Sequence, residues 1–231
     1  MRLDGVSIEQ YHMSLTERPT IPTAEQEVEH IQVRGRHGSL TKKYALNDVP
    51  FKLEFNYLES EVPFASAYRT FKLALFRAQT LDFEDDLGVY RKIKSVSLDD
   101  ANNDDLYYGS FPASFTLDPF SYSSDPAITT VTGQTVLSNP GYESEPYIKV
   151  YLNGSGHIYF GDQTVALINI GSFIEIDCAM KNAYLTTETG LLQNMNSHMV
   201  GDFPVIGEGQ QTVNIDGDIT KLEILPRWRW R

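Results

Sequence analysis

Apolar and polar residues alternate strictly in several short runs. Val49, Phe51, Leu53, Phe55 and Tyr57 alternate with Pro50, Lys52, Glu54 and Asn56. Phe111, Ala113, Phe115 and Leu117 alternate with Pro112, Ser114 and Thr116, and Ile174, Ile176 and Cys178 alternate with Glu175 and Asp177. A period of two sets one face on a core and leaves the other in solvent, so each run predicts a half-buried strand. Asn153-Gly154 and Asp216-Gly217 supply the positive φ that a tight hairpin turn demands. The second lies between Thr212-Val213-Asn214-Ile215 and the run Ile219 to Ile224, which predicts a hairpin, while Gly154-Ser155-Gly156 extends the first into a longer loop.

One segment breaks this rhythm. After Glu59, Glu61 and Pro63, the residues Phe64, Ala67, Tyr68, Phe71, Ala74, Leu75 and Ala78 fall on one stripe at helical spacing. Acids before the first turn, a proline near it and Arg77 at the end suit the helix dipole. The pattern predicts an amphipathic helix over about 63–78 laid on a sheet, with Tyr68 and Phe76 partly exposed. Further along, Asp118-Pro119-Phe120-Ser121-Tyr122-Ser123-Ser124-Asp125-Pro126 is rich in turn residues and suggests a boundary near 120–140. Beyond it come only strand signals at roughly 8–12-residue spacing, the mark of a β-sandwich. The expected fold class is mainly β: a β-rich N-terminal domain with one helix over 1–126, and a C-terminal β-sandwich over 127–231. No repeat of 20–50 residues points to a solenoid or propeller.

Composition sharpens the picture. The 231 residues include 13 Tyr, 12 Phe and 2 Trp, which favours strands over helices. No run approaches the ~20 apolar residues of a membrane-spanning helix, and Met1-Arg2-Leu3-Asp4-Gly5 shows no secretory h-region. The balance of 19 basic and 31 acidic residues, net −12, has the wrong sign for a general nucleic-acid binder. The one cysteine, Cys178, can form no internal disulfide and reads as a buried small hydrophobe.

Motifs for catalysis are missing. There is no phosphate-binding G-x-x-x-x-G-K-[ST], no H-E-x-x-H and no G-x-S-x-G, and Gly207-Glu208-Gly209 lacks the third glycine of a dinucleotide loop. His12, His30, His37, His157 and His198 form no close pair at metal-ligand spacing. The acidic segment Asp99-Asp100-Ala101-Asn102-Asn103-Asp104-Asp105 places oxygen donors at alternate positions, as a calcium loop would. Asp105 stands where such a loop needs glycine, and Phe111 where it needs a closing glutamate, so a solvated loop between strands is the better reading. No catalytic residue, cofactor or metal is expected. The terminal Arg227-Trp228-Arg229-Trp230-Arg231 alternates guanidinium with indole; as a strand it would put Trp228 and Trp230 on one face and the arginines on the other. One reading is a closing strand with solvated arginines. The other is an interface anchor, since Trp and Arg are enriched at hot spots.

Two segments together resemble a known family. One is Val33-Arg34-Gly35-Arg36-His37-Gly38-Ser39-Leu40; the other runs from Asp202-Phe203-Pro204 through Asn214-Ile215-Asp216-Gly217-Asp218 to Leu225-Pro226-Arg227-Trp228. This arrangement resembles the distal tail protein (Dit) family of siphophages that infect Gram-positive bacteria. In that family a G-R-x-G-x-L turn follows the first strands, and the chain ends in a hairpin finishing in Pro-Arg-Trp. Length, β-richness and the early helix agree. At residue level the likeness covers about a fifth of the chain.

The resemblance implies a structural role in the virion tail tip, in a particle assembled in the host bacterial cytoplasm. N-terminal β domains of the family form a hexameric ring, sometimes two stacked rings. The ring joins the tail-tube protein to the tail-associated lysin or tail-tip protein, and in some cases holds a receptor-binding protein. A galectin-like sandwich decorates its outside. The galectin sugar-binding pattern H-x-N-x-R is absent here: His157 is followed by Ile158-Tyr159-Phe160 and His198 by Met199-Val200-Gly201. DNA would pass through the channel without specific binding, and an acidic lumen would suit that passage, with the Asp99–Asp105 segment one source of charge. Arg34 and Arg36 are candidates for contacts across a subunit boundary, with Trp228 and Trp230 as further interface candidates. No membrane partner is implied. The alternative from another class is a carbohydrate-binding β-sandwich module recognising bacterial cell-wall glycans.

Overall fold

The computed structural model describes residues 1–58 and 60–231. Glu59, one of the acids expected ahead of the helix, lies outside the described residues. The chain divides into two compact units, Met1–Ser121 and Tyr122–Trp230, with Arg231 grouped with the first.

In the first unit the strand Val49–Tyr57 forms where the alternation places it, and its apolar positions are buried. It pairs antiparallel with Tyr108–Ser123, setting Phe55 opposite Phe111 and Phe51 opposite Phe115. The sheet runs in the order Val6–Ser7, Arg2–Leu3, Thr80–Asp82, Val89–Leu98, Tyr108–Ser123, Val49–Tyr57, Met13–Leu15. The division between the units falls inside the strand Tyr108–Ser123. The proline- and serine-rich stretch from Asp118 is therefore strand as far as Ser123, although its composition suggests a loop.

The helix spans Phe64–Arg77, with Pro63 at its N-cap and Ala78 at its C-cap. Its buried stripe is Phe64, Ala67, Phe71 and Leu75. Rings close the seam between helix and sheet. Phe71 meets Phe55 edge-on at 5.2 Å between centroids and Phe111 at 6.0 Å, and Tyr68 meets Phe111 at 4.7 Å. Gly109 makes room for this seam: a Cβ there would lie 2.4 Å from the ring of Phe64. Tyr68 is half-buried against the core, whereas Phe76 is 57% exposed.

The second unit is a β-sandwich. One sheet runs Thr129–Val131, Ile219–Leu225, Tyr147–Leu152, Phe173–Asp177, Asn182–Thr186, Leu192–Asn194. The other runs Thr135–Asn139, Gly209–Ile215, Gly154–Phe160, Gln163–Ile170, Met199–Val200. A single core including Ile148, Val150, Ile158, Phe160, Ile174 and Leu222 lies between them.

Three expectations need correcting here. Neither Asn153-Gly154 nor Asp216-Gly217 closes a hairpin. Tyr147–Leu152 and Gly154–Phe160 lie in different sheets, and so do Gly209–Ile215 and Ile219–Leu225. Gly154 and Gly217 do take positive φ, +133° and +68°, but they turn the chain from one sheet to the other. The backbone signal is the same for both kinds of turn; the core decides which one forms. The third correction concerns Phe173–Asp177, which is covered on both faces: Glu175 and Asp177 are buried along with their apolar neighbours.

Phe111→Ala should cost about 3–5 kcal/mol, the usual range for a large core aromatic. Gly109→Ala should cost about 1–3 kcal/mol by displacing the Phe64 ring. Urea unfolding followed by tryptophan-independent circular dichroism would measure both, and losses below about 0.5 kcal/mol would refute the seam.

Candidate functional site

The strands Gln26–Gln32 and Ser39–Leu46 form a two-stranded antiparallel sheet that pairs with no other strand among the described residues. Its base is rooted: the Asn47 N–H donates to the Glu25 carbonyl at 2.8 Å, Ala24 is buried in the first core and Leu46 packs against it. Beyond the base nearly every residue is exposed. At the tip, the Arg36 N–H donates to the Val33 carbonyl at 3.1 Å, closing a turn over Gly35. Gly35 and Gly38 sit at φ +83° and +76°, the left-handed region that glycine enters without a Cβ penalty. The glycines of the motif thus set the backbone, and its arginines point outward.

Register divides the hairpin into two faces. Ile31 opposes Leu40 and Glu29 opposes Lys42, so with Val33 and Tyr44 these residues share one side. The Tyr44 hydroxyl donates to Glu29 at 2.6 Å, and the Lys42 ammonium lies 4.6 Å from the Tyr44 ring centre. His30, Gln32, Ser39, Thr41 and Lys43 occupy the opposite side with Val28. One face is therefore apolar in Ile31, Val33, Leu40 and Tyr44, each about 40% exposed. A two-stranded ribbon is marginal in water because it has nothing to bury its apolar face against. Arg34 and Arg36 form no ion pair and no side-chain hydrogen bond among the described residues.

The terminal segment behaves differently. Arg227 takes φ +53°, so the segment is not one extended strand. Its guanidinium grips Asp177 with two bonds, at 2.7 and 2.8 Å. Arg229 donates to the Glu143 carbonyl at 2.5 Å and reaches Glu145 at 3.3 Å. Trp228 packs against the core of the second unit, and Trp230 is half-buried. These two arginines are thus bound to the protein rather than solvated. Of the four interface candidates, Arg34 and Arg36 share one turn of the first unit, while Trp228 and Trp230 belong to the second.

Around Asp177 lies a polar cluster that alternation alone does not reveal. The Arg227 hydrogen bonds, helped by the N–H groups of Met180 and Ala179, hold its carboxyl below the usual range against the cost of burial. Burial would raise Glu175, but bonds from the Thr186 N–H and the Tyr147 hydroxyl, with Lys149 nearby, bring it below the usual range. Burial first, and then Glu175, pushes the Tyr147 phenol up. The Cys178 thiol is buried and pushed up to about 12 by desolvation, which leaves it inert near neutrality.

Two other places gather polar side chains. Asp216 accepts from the His157 backbone N–H at 2.9 Å and from the Tyr159 hydroxyl at 2.7 Å, and lies 2.8 Å from His157 Nδ1. The cluster borders an open cleft lined also by Ser155, Gly156, Leu167 and Ile168. The Asp99–Asp105 segment carries the strand Asn102–Asp105, paired with Tyr108–Ser123 through a tight turn, where a loop was expected. Among the described residues no three His, Cys, Asp or Glu side chains gather as a metal site would require, and no helix is long and apolar enough to cross a membrane.

No protein-family model matches the sequence, and no curated protein matches it. Solved structures do. SPP1 Dit (gp 19.1), described as a paradigm of the hub adsorption apparatus in Gram-positive infecting phages, superposes with a TM-score of 0.68. The match covers 99% of this chain and 98% of that one at 12% identity. The chain shares its fold with a distal tail protein. A chain of the phage p2 baseplate in its activated conformation with Sr gives a TM-score of 0.50 over 94% of this chain and 91% of that one, also at 12% identity. The likeness to distal tail proteins seen in two short segments thus extends, as fold, across both units.

Asp177 yields a pH prediction. Its folded-state pKa lies below the unfolded value of about 3.9, so its contribution is complete above that value and is lost as pH falls through the folded one. Asp177→Asn should cost about 2 kcal/mol at pH 7 and should flatten the acid limb of the stability curve. Thermal unfolding between pH 2 and 7 would check this; an unchanged acid limb would remove Asp177 from the account.

Proposed function

We propose that this protein is a structural subunit of a phage tail, forming a hexameric hub that joins the tail tube to tail-tip or baseplate proteins. The observation that carries the reading is the end-to-end match to SPP1 Dit, in which neither chain has a large unmatched segment. The rooted, exposed hairpin supports it. An apolar face left open in one chain is what a ring subunit would bury against its neighbour. On this reading the first unit, about residues 1–126 with the boundary strand, builds the ring, and the galectin-like sandwich that follows lies outside it. Tail tube, tail-associated lysin and receptor-binding protein are the partners this role entails. Six copies carry 6 × −12 = −72 charges, a field that keeps DNA phosphates from sticking to the channel. No catalytic step belongs to this role.

Electron microscopy of the purified protein over a range of concentrations tests it. Closed six-fold rings of 6 × 26.1 = 156.6 kDa, or stacked pairs of them, are expected, with native mass spectrometry giving the count. Monomers at every concentration, with and without tail-tube protein, would overturn the hub.

The second reading, a module for cell-wall glycans, rests on the cleft beside His157 and Asp216. It expects cell-wall sugars to raise the melting temperature by mass action, and His157→Ala to abolish that rise. A flat melting screen would dismiss it.

A further inference from the structure

Two surfaces in the first unit carry opposite net charge and form no ion pair among the described residues. The first is the hairpin, which carries Arg34, Arg36, Lys42 and Lys43 against Glu27 and Glu29, net +2 in a chain of net −12. Its open face adds Ile31, Val33, Leu40 and Tyr44. The second is the segment 99–108. Its four aspartates, Asp99, Asp100, Asp104 and Asp105, have no cation among them. They form no ion pair among the described residues, and Leu106, Tyr107 and Tyr108 beside them are 58%, 42% and 54% exposed. Three other aspartates of this unit have cation partners. Asp82 is paired with Arg2, Asp85 with Arg18, and Asp48 with Lys94.

We propose that the apolar, basic hairpin of one copy docks on the acidic, aromatic segment 99–108 of the next. This deepens the hub reading and rests on it. Apolar patches meet, and Arg34 and Arg36 face uncompensated aspartates, so the contact gains both burial and charge complementarity. Each copy offers one hairpin and one receiving segment. Such a head-to-tail contact, repeated with a rotation of about 60° between copies, closes a six-membered ring. A second copy is the occupant because the same chain supplies both halves, and because among the described residues the hairpin strands pair only with each other. The acidic segment is then interface rather than channel wall.

The test is a charge exchange in the full chain. Arg34→Glu with Arg36→Glu, or Asp100→Lys with Asp104→Lys, should each weaken self-association by about tenfold or more. All four changes together should bring the dissociation constant back to within about threefold of the parent. Analytical ultracentrifugation reads the constant, and circular dichroism checks that each variant folds. Cysteine pairing supplies the second measurement: a Leu40→Cys chain mixed with a size-tagged Leu106→Cys chain should give the mixed disulfide dimer on oxidation. Cys178, buried and inert, stays silent. Rings that form normally in both charge variants, without the mixed dimer, overturn this contact and leave the hub reading standing. Absence of both rings and mixed dimer overturns both. The mixed dimer without rings supports the contact and counts against the hexamer.

Discussion

The first unit depends on a seam of rings. The helix has one narrow apolar stripe, and Phe64 and Phe71 lie on it with Tyr68 at its margin. Opposite, the alternating strands present Phe55 and Phe111, stacked 5.3 Å apart. Flat side chains with few rotatable bonds bury large area at small entropic cost. They fix the helix on the sheet, with the Phe64 N–H adding a hydrogen bond to the Leu106 carbonyl at 2.9 Å. The sheet in turn fixes the chain ends from which the hairpin Gln26–Leu46 departs. A hairpin that is almost wholly exposed is thereby held at a defined base.

Charge is sorted along this chain rather than mixed. In the second unit the buried acids find partners inside it: Asp177 takes Arg227, and Glu175 takes Tyr147 and the Thr186 N–H. In the first unit the hairpin tip and the segment 99–108 keep charges of opposite sign unmatched. Desolvating a charge without a partner is costly. Leaving both surfaces in water avoids that cost in the single chain.

What the sequence discloses follows the range of the forces involved. Val49–Tyr57 and Phe64–Arg77 are legible because alternation and helical spacing are local; the strand's apolar positions are all buried, and the helix stripe is buried at Phe64, Ala67, Phe71 and Leu75 with Tyr68 and Ala74 half-buried. Asp216-Gly217 is legible as a turn but not as a crossing between sheets, because positive φ says nothing about which sheet the next strand joins. Glu175 and Asp177 look like solvent positions, since the groups that justify their burial lie 28 and 50 residues away. Asp118 to Ser123 looks like a linker because its composition is that of turns, yet pairing overrides it. Arg34 and Arg36 could be placed on a turn from Gly35 and Gly38 alone. The openness of Ile31, Val33, Leu40 and Tyr44 could not, for alternation does not tell a face that meets a core from one that meets nothing.

The crossings at Gly154 and Gly217 are fitted to each other. A Cβ at Gly154 would fall 2.0 Å from an oxygen of Asp218, and one at Gly217 would fall 2.6 Å from the Ser155 carbonyl. Ser155 and Asp218 also exchange hydrogen bonds, each 2.9 Å. Residues 63 apart in the chain must therefore meet before either corner is complete. Such distant closure slows folding. On the ribosome, the sandwich cannot finish until its last strands have emerged, whereas the helix and sheet of the first unit can consolidate earlier. The exposed hairpin would then be formed while its own chain is still being made.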